Sequence, residues 1–533
     1  MGATAGPPAL IQALMRPEAY PHPVQTVELI ETHISWVLLT GTFAYKIKKP
    51  INLGFVQAAS LQQRLHYCHE EIRLNRRLAA DLYLGVVAVV GPVEQACILE
   101  GLHLPQGQRM LEAAVKMRQF PPEHLLSTTL VQRSVEASAL NNLAWSLGRF
   151  HQHAPAASRE QSFGTPPQVS EPVSTNLSVL DRLISDPAQR EQLHRHWRWT
   201  QKQQQKLWAR FEARHQNGEI RECHGDLHCG NIRFTSQGAL EVFDAIDFNP
   251  DLRWIDPISE MAFLVMDLQM HNARPLATTT LNAWLECTGA YAGMDLWRWY
   301  HAYRAMVRAK VCALQAEQTS SNHATQRLRQ DLNRYLQTAS GDEAPASGGL
   351  VLMHGLSGSG KSTLSARLCI SLEAVRIRSD RERLRAFAPS GAAPARFTGD
   401  PYRAEISRWL FDQHLPMLTE RCLMSGYPVI VDATFLRQHE RQTMLDLAAR
   451  LNRQAAIVHC SCSDDTALAR LSRRAQCGED PSEADFSVRQ QQQHWLEPLT
   501  AHERARTVQV DESTPLASVE EALQQHLNPP PSA

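Results

Sequence analysis

The chain has 533 residues, which is enough for two or three domains. Hydrophobic residues make up 43% and charged residues 20%, which is typical of a globular protein with several cores. The formal net charge of -1 excludes a strong overall basic field for nucleic acid or for an anionic membrane surface.

Targeting signals and cysteine usage both bear on the compartment. Residues 1–20 do not contain a charged segment followed by an apolar one, as a secretory signal would. No apolar run in the sequence approaches the ~20 residues needed to span a bilayer. The 11 cysteines follow no regular spacing, which is typical of free thiols in a reducing compartment. We therefore expect a cytoplasmic protein without a membrane partner.

The first part of the chain carries strand-like patterns interrupted by one helix-like pattern. Residues Val24–Lys49 predict two or three short strands, with a turn at Gly41–Thr42. Leu61–Ala80 has apolar residues at helical spacing, and strand character returns over Leu84–Leu99 and Glu112–Met117. These segments predict a small sheet accompanied by one helix.

Helical patterns dominate the middle of the chain, over Leu140–His153 and most of Ile258–Leu336. Between them, Ala154–Asn176 is rich in proline, serine and alanine and predicts a loop. A small sheet with one helix, followed by a mainly helical lobe, predicts a two-lobed α+β domain.

One segment between the helical regions has the residues that phosphoryl transfer needs. It reads His224-Gly-Asp226-Leu-His-Cys-Gly-Asn231 and precedes two predicted strands, the second of which ends at Asp244. Transfer to a hydroxyl requires an aspartate that positions or deprotonates that hydroxyl. It also requires an asparagine and a further aspartate to hold the metal ion that neutralises the phosphates. Asp226, Asn231 and Asp244 supply these groups in one loop and hairpin.

These residues resemble the aminoglycoside phosphotransferase family, which has a protein-kinase-like fold. The family pattern H-x-D-x-x-x-x-N is matched in full, and an aspartate follows at the expected step. By position, the resemblance makes Asp226 the catalytic base and His224 the residue that braces its loop. Asn231 and Asp244 would hold Mg²⁺, with Asp247 as the alternative to Asp244.

The resemblance also implies a small-lobe lysine for the ATP phosphates and a helix glutamate that holds this lysine. The strand around Lys46 is similar to the family's V-A-I-K strand, so Lys46 is preferred, with Lys48 second. Glu71 is preferred to Glu70 as the partner, and a surface ion pair is the alternative interpretation. The sequence departs from the family at Glu31–Ser35, which stands where a glycine-rich phosphate loop is expected.

A second motif follows a linker-like segment. Thr338–Gly349 is small, polar and glycine-rich, and it precedes a predicted strand over Leu350–His354. The next residues, GLSGSGKS, fit G-x-x-x-x-G-K-[ST] and lead into a predicted helix. In such a loop, backbone N–H groups cradle phosphates, the lysine reaches the β and γ phosphates, and the hydroxyl ligates Mg²⁺. The nucleotide-binding residues predicted here are Gly355, Ser357, Gly358, Ser359, Gly360, Lys361, Ser362 and Thr363.

Two carboxylates follow the loop in chain order. Asp432 ends the apolar run Pro428–Val431, as a Walker B aspartate does, and would assist Mg²⁺; capping the next helix is the alternative. Asp380 lies just beyond a short predicted strand and could take a proton from a substrate hydroxyl, with Arg383 on a phosphate. An N-cap on a basic helix is the alternative interpretation of Asp380.

From Leu350 to Asp511 the chain resembles the small P-loop kinases related to polynucleotide kinase and zeta toxin. The loop itself and the segments SDRER and VIVDATFLRQHER carry this resemblance. It implies that Asp380 is the general base, that Asp432 assists Mg²⁺, and that arginines of a lid helix close over the phosphates. The lid position is matched by Arg470, Arg473 and Arg474, and the arginines that could reach the substrate are Arg437 and Arg441.

The predicted organisation is a protein-kinase-like domain over 1–340, a linker over 341–349 and a P-loop kinase domain over 350–533. Within the first domain, the small lobe covers about 1–117 and the large lobe about 118–340. The P-loop domain is expected to be α/β with a parallel sheet. The expected cofactors are ATP and Mg²⁺ in both domains, and the expected partner is a small-molecule or nucleotide hydroxyl acceptor.

These predictions together indicate a bifunctional ATP-dependent phosphotransferase. In one alternative, the first domain senses a ligand without turnover and regulates the P-loop kinase, as the missing glycine-rich loop would allow. In another, the P-loop domain is a nucleic-acid 5'-hydroxyl kinase, which the near-neutral charge disfavours.

Overall fold

The computed structural model describes most of the chain, and the chain divides into two compact units. The described residues are 7–52, 57–132, 135–319, 321–343, 348–388, 395–477 and 486–527, without the side chains of 474–477. Unit 1 comprises 1–139, 154–168 and 212–260. Unit 2 comprises 140–153, 169–211 and 261–533. Unit 2 therefore includes helices from the first predicted domain together with the whole of the second.

An antiparallel sheet is the main element of unit 1. Its strands are β1 (Glu28–Glu31), β2 (Ser35–Leu39), β3 (Phe43–Lys48), β4 (Tyr83–Val90), β5 (Cys97–Leu99) and β6 (Met110–Arg118). They form one six-stranded sheet in the order β1-β2-β3-β6-β4-β5. Ala114 of β6 packs in a core with helix α1 (Ala9–Leu14), whereas Ala113 packs in a core with helix α2 (Leu61–Asn75). This alternation gives the sheet two buried faces.

The rest of unit 1 surrounds the predicted catalytic loop. Its elements are helix α3 (Leu126–Gln132) and strands β7 (Arg221–Glu222), β8 (Ile232–Phe234), β9 (Leu240–Val242) and β10 (Trp254–Ile255). β8 and β9 form an antiparallel hairpin, and β7 pairs with β10. The loop therefore leaves one strand pair and enters the other, which fixes both of its ends.

Within the described residues, seven helices make up the helical region that was predicted from the sequence. They are α4 (Ala137–His153), α5 (Pro166–Leu183), α6 (Pro187–Gln216), α7 (Pro257–Met270), α8 (Arg274–Thr288), α9 (Trp297–Gln318) and α10 (Asn322–Gly341). The loop predicted over Ala154–Asn176 is wrong from Pro166 onward, because α5 begins there. Val173, Leu177 and Leu180 are buried at helical spacing, and this apolar stripe outweighs the internal Pro172.

The remainder of unit 2 is an α/β fold with a parallel sheet. The strands are β11 (Leu350–His354), β12 (Val375–Arg378), β13 (Val429–Asp432), β14 (Ala455–Cys460) and β15 (Thr507–Val510). The helices are α11 (Lys361–Ser371), α12 (Ser379–Arg385), α13 (Ala404–Trp409), α14 (Leu415–Met424), α15 (Gln438–Arg450), α16 (Asp464–Cys477), α17 (Phe486–Trp495), α18 (Ala501–Arg504) and α19 (Leu516–Leu527). The strand order is β12-β13-β11-β14-β15, with all neighbours parallel.

This strand order brings the sequence motifs together. β11, β12 and β13 are adjacent and parallel, so their carboxyl ends meet at one edge of the sheet. The phosphate-binding loop follows β11, Asp380 follows β12, and Asp432 ends β13. Among the described helices, none combines the length and the apolar character needed to cross a membrane.

Candidate functional site

Strand β3 directs Lys46 and Lys48 to one buried glutamate of α2. Lys46 Nζ lies 2.9 Å from Glu71 Oε1 and Lys48 Nζ lies 2.5 Å from Glu71 Oε2; the Glu71 side chain is fully buried. Burial opposes the charge of Lys46, yet Asp244 and Glu71 hold its pKa well above the ordinary value. The structure therefore pairs the lysine and glutamate chosen from the sequence, and their burial excludes the surface ion pair.

The two aspartates after β9 meet the same two lysines. Asp244 contacts Lys46, and its N–H donates to Tyr83 Oη at 3.0 Å. Asp247 Oδ2 lies 2.5 Å from Lys48 Nζ, and burial raises the pKa of Asp247. The side chain of Asp244 is 46% exposed, whereas that of Asp247 is 4% exposed. Asp244 is thus the aspartate that a metal ion can reach, which favours it over the alternative.

His224 braces the predicted catalytic loop from inside unit 1. The N–H groups of His224 and Gly225 donate to Glu260 Oε2 at 2.9 and 2.7 Å. Burial lowers the pKa of His224. Its Nδ1 accepts the Asp226 N–H at 3.3 Å, and its Nε2 donates to Phe243 O at 2.8 Å. Gly225 has φ 92°, and a Cβ at this position would lie 2.8 Å from Leu252 O. The glycine between His224 and the aspartate is therefore required by both the backbone and the space.

Asn231 and Asp226 form the oxygen-rich part of this loop. Asn231 Nδ2 donates to Asp226 O at 2.9 Å and to Asp226 Oδ2 at 3.1 Å. These bonds use the nitrogen of the amide and leave its oxygen as the ligand atom. Together with the exposed carboxylate of Asp244, this donor set consists of oxygens, which Mg²⁺ prefers. The residues present fit the predicted Mg²⁺ site.

Two residues that sequence reasoning missed hold the Asp244 segment. Tyr83 Oη accepts the Asp244 N–H, and Asn75 Oδ1 accepts the Ala245 N–H at 2.9 Å. Asn75 Nδ2 also donates to Glu71 O at 2.9 Å, so one side chain joins helix α2 to this segment. Both residues lie more than a hundred residues away in sequence, and no local pattern marks them.

The glycine-rich loop in unit 2 runs from β11 into the amino end of α11. Gly355 has φ 132°, and a Cβ there would lie 2.3 Å from Cys460 O on the neighbouring strand β14. Gly358 and Gly360 have φ values of 81° and 94°. Only glycine adopts this series of conformations without strain, and the loop ends at a helix amino terminus that favours phosphate.

Lys361, Gln492 and Arg489 contact the backbone of this loop near its start. Lys361 Nζ donates to Leu356 O at 2.8 Å, and burial lowers the pKa of Lys361 against the opposing effect of Asp432. The Ser357 N–H donates to Gln492 Oε1 at 2.8 Å. Arg489 Nη1 donates to the carbonyl oxygen of the same serine at 2.8 Å. Gln492 and Arg489 come from α17, and sequence reasoning missed both because they lie far along the chain.

The Asp432 carboxylate lies beside the loop. Ser365 Oγ donates to Asp432 Oδ2 at 3.0 Å, and Arg378 Nε lies 3.9 Å from the same oxygen. Helix α15 begins only at Gln438, so Asp432 is not its cap and that alternative is wrong. Asp432 and Ser362 line one cleft, and a carboxylate with a hydroxyl fits a Mg²⁺ ion that also binds phosphates.

Asp380 and Arg383 lie on helix α12. Arg378 is the N-cap of this helix and Asp380 is inside its first turn, so the capping alternative for Asp380 is wrong. Arg383 is 7% exposed, and its Nη1 donates to Pro401 O at 3.0 Å and Ser407 Oγ at 3.1 Å. Its Nε is buried without a hydrogen-bond partner among the described residues. A buried guanidinium in this state is suited to an incoming anion.

One cleft of about 1180 Å³ contains most of the predicted second site. Its lining includes residues 357–363 of the loop, Asp380, Arg383, Asp432 and Arg470. Further arginines of the lining are Arg367, Arg378, Arg408, Arg437 and Arg473. The lining has eight lysine and arginine side chains against six carboxylates, so the cleft combines a phosphate cradle with a small excess of positive charge, which fits anionic ligands.

Arg437 and Arg473 thus line the cleft, and the other three arginines predicted for the lid and the substrate have different positions. Arg470 Nη1 donates to Gly358 O at 3.4 Å, so it reaches the loop. The side chain of Arg474 lies outside the described residues. Arg441 is fully buried, and its Nε donates to Glu503 Oε1 at 2.6 Å. The prediction that Arg441 could reach substrate is wrong, because this ion pair fixes it inside the fold.

Two family models match the chain. Residues 55–303 match the model described as "Phosphotransferase enzyme family". Residues 350–499 match the model described as "AAA domain". These matches define the phosphotransferase region and the P-loop region of the chain. Each match covers less than half of the chain, and each shows a similarity of that region to the family named.

Similar proteins were found for most of the chain and for each region. An uncharacterized protein of Mycobacterium tuberculosis is 29% identical over 463 residues, which is 85% of this chain and 88% of that protein. A choline/ethanolamine kinase family protein from Mesorhizobium loti is 13% identical, covers 62% of this chain and 97% of its own, and has a TM-score of 0.35. A gluconokinase from Sinorhizobium meliloti is 25% identical and has a TM-score of 0.23; the match covers 34% of this chain and 90% of the gluconokinase.

Proposed function

We propose that the protein is a cytoplasmic, bifunctional ATP-dependent phosphotransferase. Each region binds ATP with Mg²⁺ and transfers the γ-phosphoryl group to a hydroxyl of a small molecule or nucleotide. The observation that carries this proposal is the single cleft in which Asp380 and Asp432 meet residues 357–363. Phosphoryl transfer depends on positioning and charge neutralisation, and this cleft offers groups for both.

In the P-loop region, the N–H groups of the loop and Lys361 hold the phosphates. Ser362 and Asp432 would hold Mg²⁺, which neutralises the phosphate charge when it is bound. Asp380 accepts the proton of the acceptor hydroxyl while the oxygen of that hydroxyl bonds to the γ phosphorus. The bond from that phosphorus to the bridging oxygen breaks, and ADP leaves with the electron pair.

In the phosphotransferase region, Lys46 would bind the α and β phosphates, and Glu71 holds this lysine. Asp226 accepts the proton of the second acceptor, and His224 keeps the loop of Asp226 in position. Asn231 and Asp244 would hold Mg²⁺. Support comes from the half-exposed Asp244 carboxylate and from the Asn231 amide, whose nitrogen is already bonded to Asp226.

The acceptors are proposed to be small molecules or nucleotides. Arg383 supports an anionic group in the P-loop cleft, because its Nε is buried without a partner among the described residues. The net charge of -1 disfavours a long nucleic acid, which would be held by many phosphate contacts. A nucleic-acid 5'-hydroxyl kinase would instead bind an oligonucleotide with a steep salt dependence.

Calorimetric titration with ATP and Mg²⁺ tests the two-site model. We expect two ATP molecules per wild-type chain and one per chain in each of Lys46→Ala and Lys361→Ala. Lys202→Ala is the control, because Lys202 is an exposed lysine of α6 and belongs to neither predicted site. A wild-type stoichiometry of one would contradict the model, and the variant that abolishes binding would then identify the single site.

Turnover against fractions of a bacterial metabolite extract tests the chemistry. We expect Asp226→Asn and Asp380→Asn each to lower ATP consumption with different fractions by about 10²–10⁴-fold, while ATP binding persists. The fractions affected by each variant contain its acceptor. If both variants affect the same fractions equally, the two regions do not catalyse separate reactions.

One observation favours a second candidate function for the phosphotransferase region. The turn between β1 and β2 contains Thr32, His33 and Ile34 in place of a glycine-rich phosphate loop. A region with this turn could bind nucleotide as a sensor and regulate the P-loop kinase. Titration would then show two ATP sites, but Asp226→Asn would leave every turnover rate unchanged.

A further inference from the structure

Helix α8 of the phosphotransferase region contacts the edge of the parallel sheet. Asn282 Nδ2 donates to Ala374 O at 2.9 Å, and Asn282 Oδ1 accepts the Arg376 N–H at 2.7 Å. Tyr291 Oη donates to Arg376 O at 3.1 Å. β12 is an edge strand, and these side chains satisfy backbone groups that a neighbouring strand would otherwise take. The contact fixes α8 along β12.

Glu286 lies one turn after Asn282 and carries the charge of this contact. Its Oε1 lies 2.9 Å from Arg378 Nη1 and 2.9 Å from Arg381 Nε, and its Oε2 lies 3.3 Å from Arg376 Nη2. The Glu286 side chain is 14% exposed. Although burial opposes its ionisation, the three arginines hold its pKa below the ordinary value. One carboxylate therefore keeps three guanidinium groups together.

Arg376 and Arg378 lie close to the predicted Mg²⁺ ligands Ser362 and Asp432. Arg376 Nη1 donates to Ser362 O at 3.3 Å and to Ser365 Oγ at 3.4 Å, and Ser365 Oγ donates to Asp432 Oδ2. Arg378 Nε lies 3.9 Å from Asp432 Oδ2. Glu286 is thus connected to Asp432 by two short paths, one through Arg376 and one through Arg378.

Arg378 and Mg²⁺ would compete for the carboxylate of Asp432. Without the Glu286 carboxylate, three guanidinium groups repel one another in a partly buried place. Asp432 is a carboxylate within reach of Arg378, so the two would form a closer ion pair. An ion pair with arginine lowers the affinity of a carboxylate for a metal ion, because the guanidinium and the metal ion compete for the same oxygens.

We propose that Glu286 of the phosphotransferase region is a positioning residue of the P-loop centre. It holds Arg376 and Arg378 so that Asp432 remains available to Mg²⁺. This inference rests on the proposed function in one respect, namely that the P-loop cleft binds ATP with Mg²⁺. It goes further in making one catalytic centre depend on a helix from the other region.

Mg²⁺-dependent ATP affinity of the full chain is the test, measured in the Lys46→Ala background so that only the P-loop cleft binds. Glu286→Gln should raise the Mg²⁺ concentration at which ATP affinity reaches half of its Mg²⁺-dependent increase. We expect a change of about 10-fold or more, which is usual for residues that orient metal ligands. ATP affinity without Mg²⁺ should change much less. Glu286→Asp should recover part of the loss.

Glu373→Gln is the matched control. Glu373 also pairs with an arginine of α8, since Arg274 Nη1 lies 2.9 Å from its Oε2, but both side chains are largely exposed. The control should leave the Mg²⁺ dependence unchanged. Equal effects of Glu286→Gln and Glu373→Gln would overturn the proposal.

A double-mutant cycle that combines Glu286→Gln with Arg378→Gln tests the path through Arg378. The effect of Glu286→Gln on Mg²⁺ dependence should be largely lost when Arg378 is already replaced. In the metal-free protein, the same two substitutions should be non-additive in the free energy of unfolding. Additive effects in both measurements would overturn the proposal. If ATP affinity in the Lys46→Ala background ignores Mg²⁺, the proposed function fails together with this inference.

Discussion

Glu71 is the residue on which the charge balance of the first site depends. It binds Lys46 and Lys48 with separate oxygens, and all three side chains are almost entirely buried. Asp244 and Asp247 each contact one of these lysines as well. Three carboxylates therefore face two ammonium groups, and removal of any one of them changes the site.

We expect Glu71→Gln to lower the free energy of unfolding by about 3–5 kcal/mol, because it removes the buried carboxylate that pairs with both lysines. It should also abolish ATP binding by the phosphotransferase region and leave the P-loop cleft intact. Urea unfolding and calorimetric titration measure the two effects. Glu31→Gln removes the exposed partner of Lys49 and should cost less than about 1 kcal/mol. Equal losses in the two variants would contradict this account.

Gln492 accepts a hydrogen bond from a backbone N–H group of the phosphate loop. Its Oε1 accepts the Ser357 N–H, and the side chain is 8% exposed inside the cleft lining. The N–H groups of such a loop are the donors for phosphate. Phosphates bound by this loop would therefore lie near the Gln492 amide, whose nitrogen is a hydrogen-bond donor.

We expect Gln492→Glu to weaken ATP binding in the P-loop cleft by about 10-fold or more, because a carboxylate next to the phosphates costs over about 1.4 kcal/mol. ATP titration in the Lys46→Ala background measures this affinity. Gln493→Glu adds the same charge at an exposed position one residue away and is the control. An unchanged affinity in Gln492→Glu would place the phosphates away from α17.

The residues found from the sequence belong to short motifs, and those that were missed act across long separations. Asp226, Asn231 and Lys361 stand in patterns whose spacing is set by one loop. Gln492 reaches Ser357 from α17, and Tyr83 reaches Asp244 from another strand. Their identities follow from tertiary packing, so one sequence without the fold does not reveal them.

At the level of elements, strands and helices with a clear period were predicted well. β11 spans Leu350–His354 as expected, and β6 includes the predicted Glu112–Met117. Helix α5 was missed because proline and serine disfavour helix by local propensity, whereas burial of its apolar stripe decides the outcome. Propensity is a weak signal wherever an amphipathic face finds a partner.

We expect Pro172→Ala to stabilise the protein by roughly 2 kcal/mol. Pro172 lies inside α5, where it removes one helical hydrogen bond, and the gain is reduced because alanine frees the unfolded chain. Thermal unfolding measures the change. Pro187→Ala is the control, because Pro187 is the first residue of α6, where proline costs little. A destabilised Pro172→Ala variant would mean that α5 requires a bend at this position.

At the scale of the whole molecule, the compact units do not coincide with the two family matches. Unit 2 contains both the P-loop region and helices α8 and α9, which begin inside the 55–303 match. Asp295 shows why, because its buried carboxylate pairs with Arg210 at 2.7 Å and with Arg421 of α14 at 2.8 Å. The sequence signals a linker between the regions but not the ion pairs that unite them.

We therefore expect residues 1–343 and 348–533, expressed together as separate chains, to purify as a one-to-one complex. Asp295→Asn removes a buried carboxylate that two partly exposed arginines share, and it should weaken the complex by about 10-fold or more. Glu373→Gln, at an exposed ion pair, should weaken it only slightly. Analytical ultracentrifugation measures both affinities. Separate migration of the two wild-type chains would show that the contacts of α8 and Asp295 do not hold the regions together, and the dependence of the P-loop centre on Glu286 would then require the covalent link.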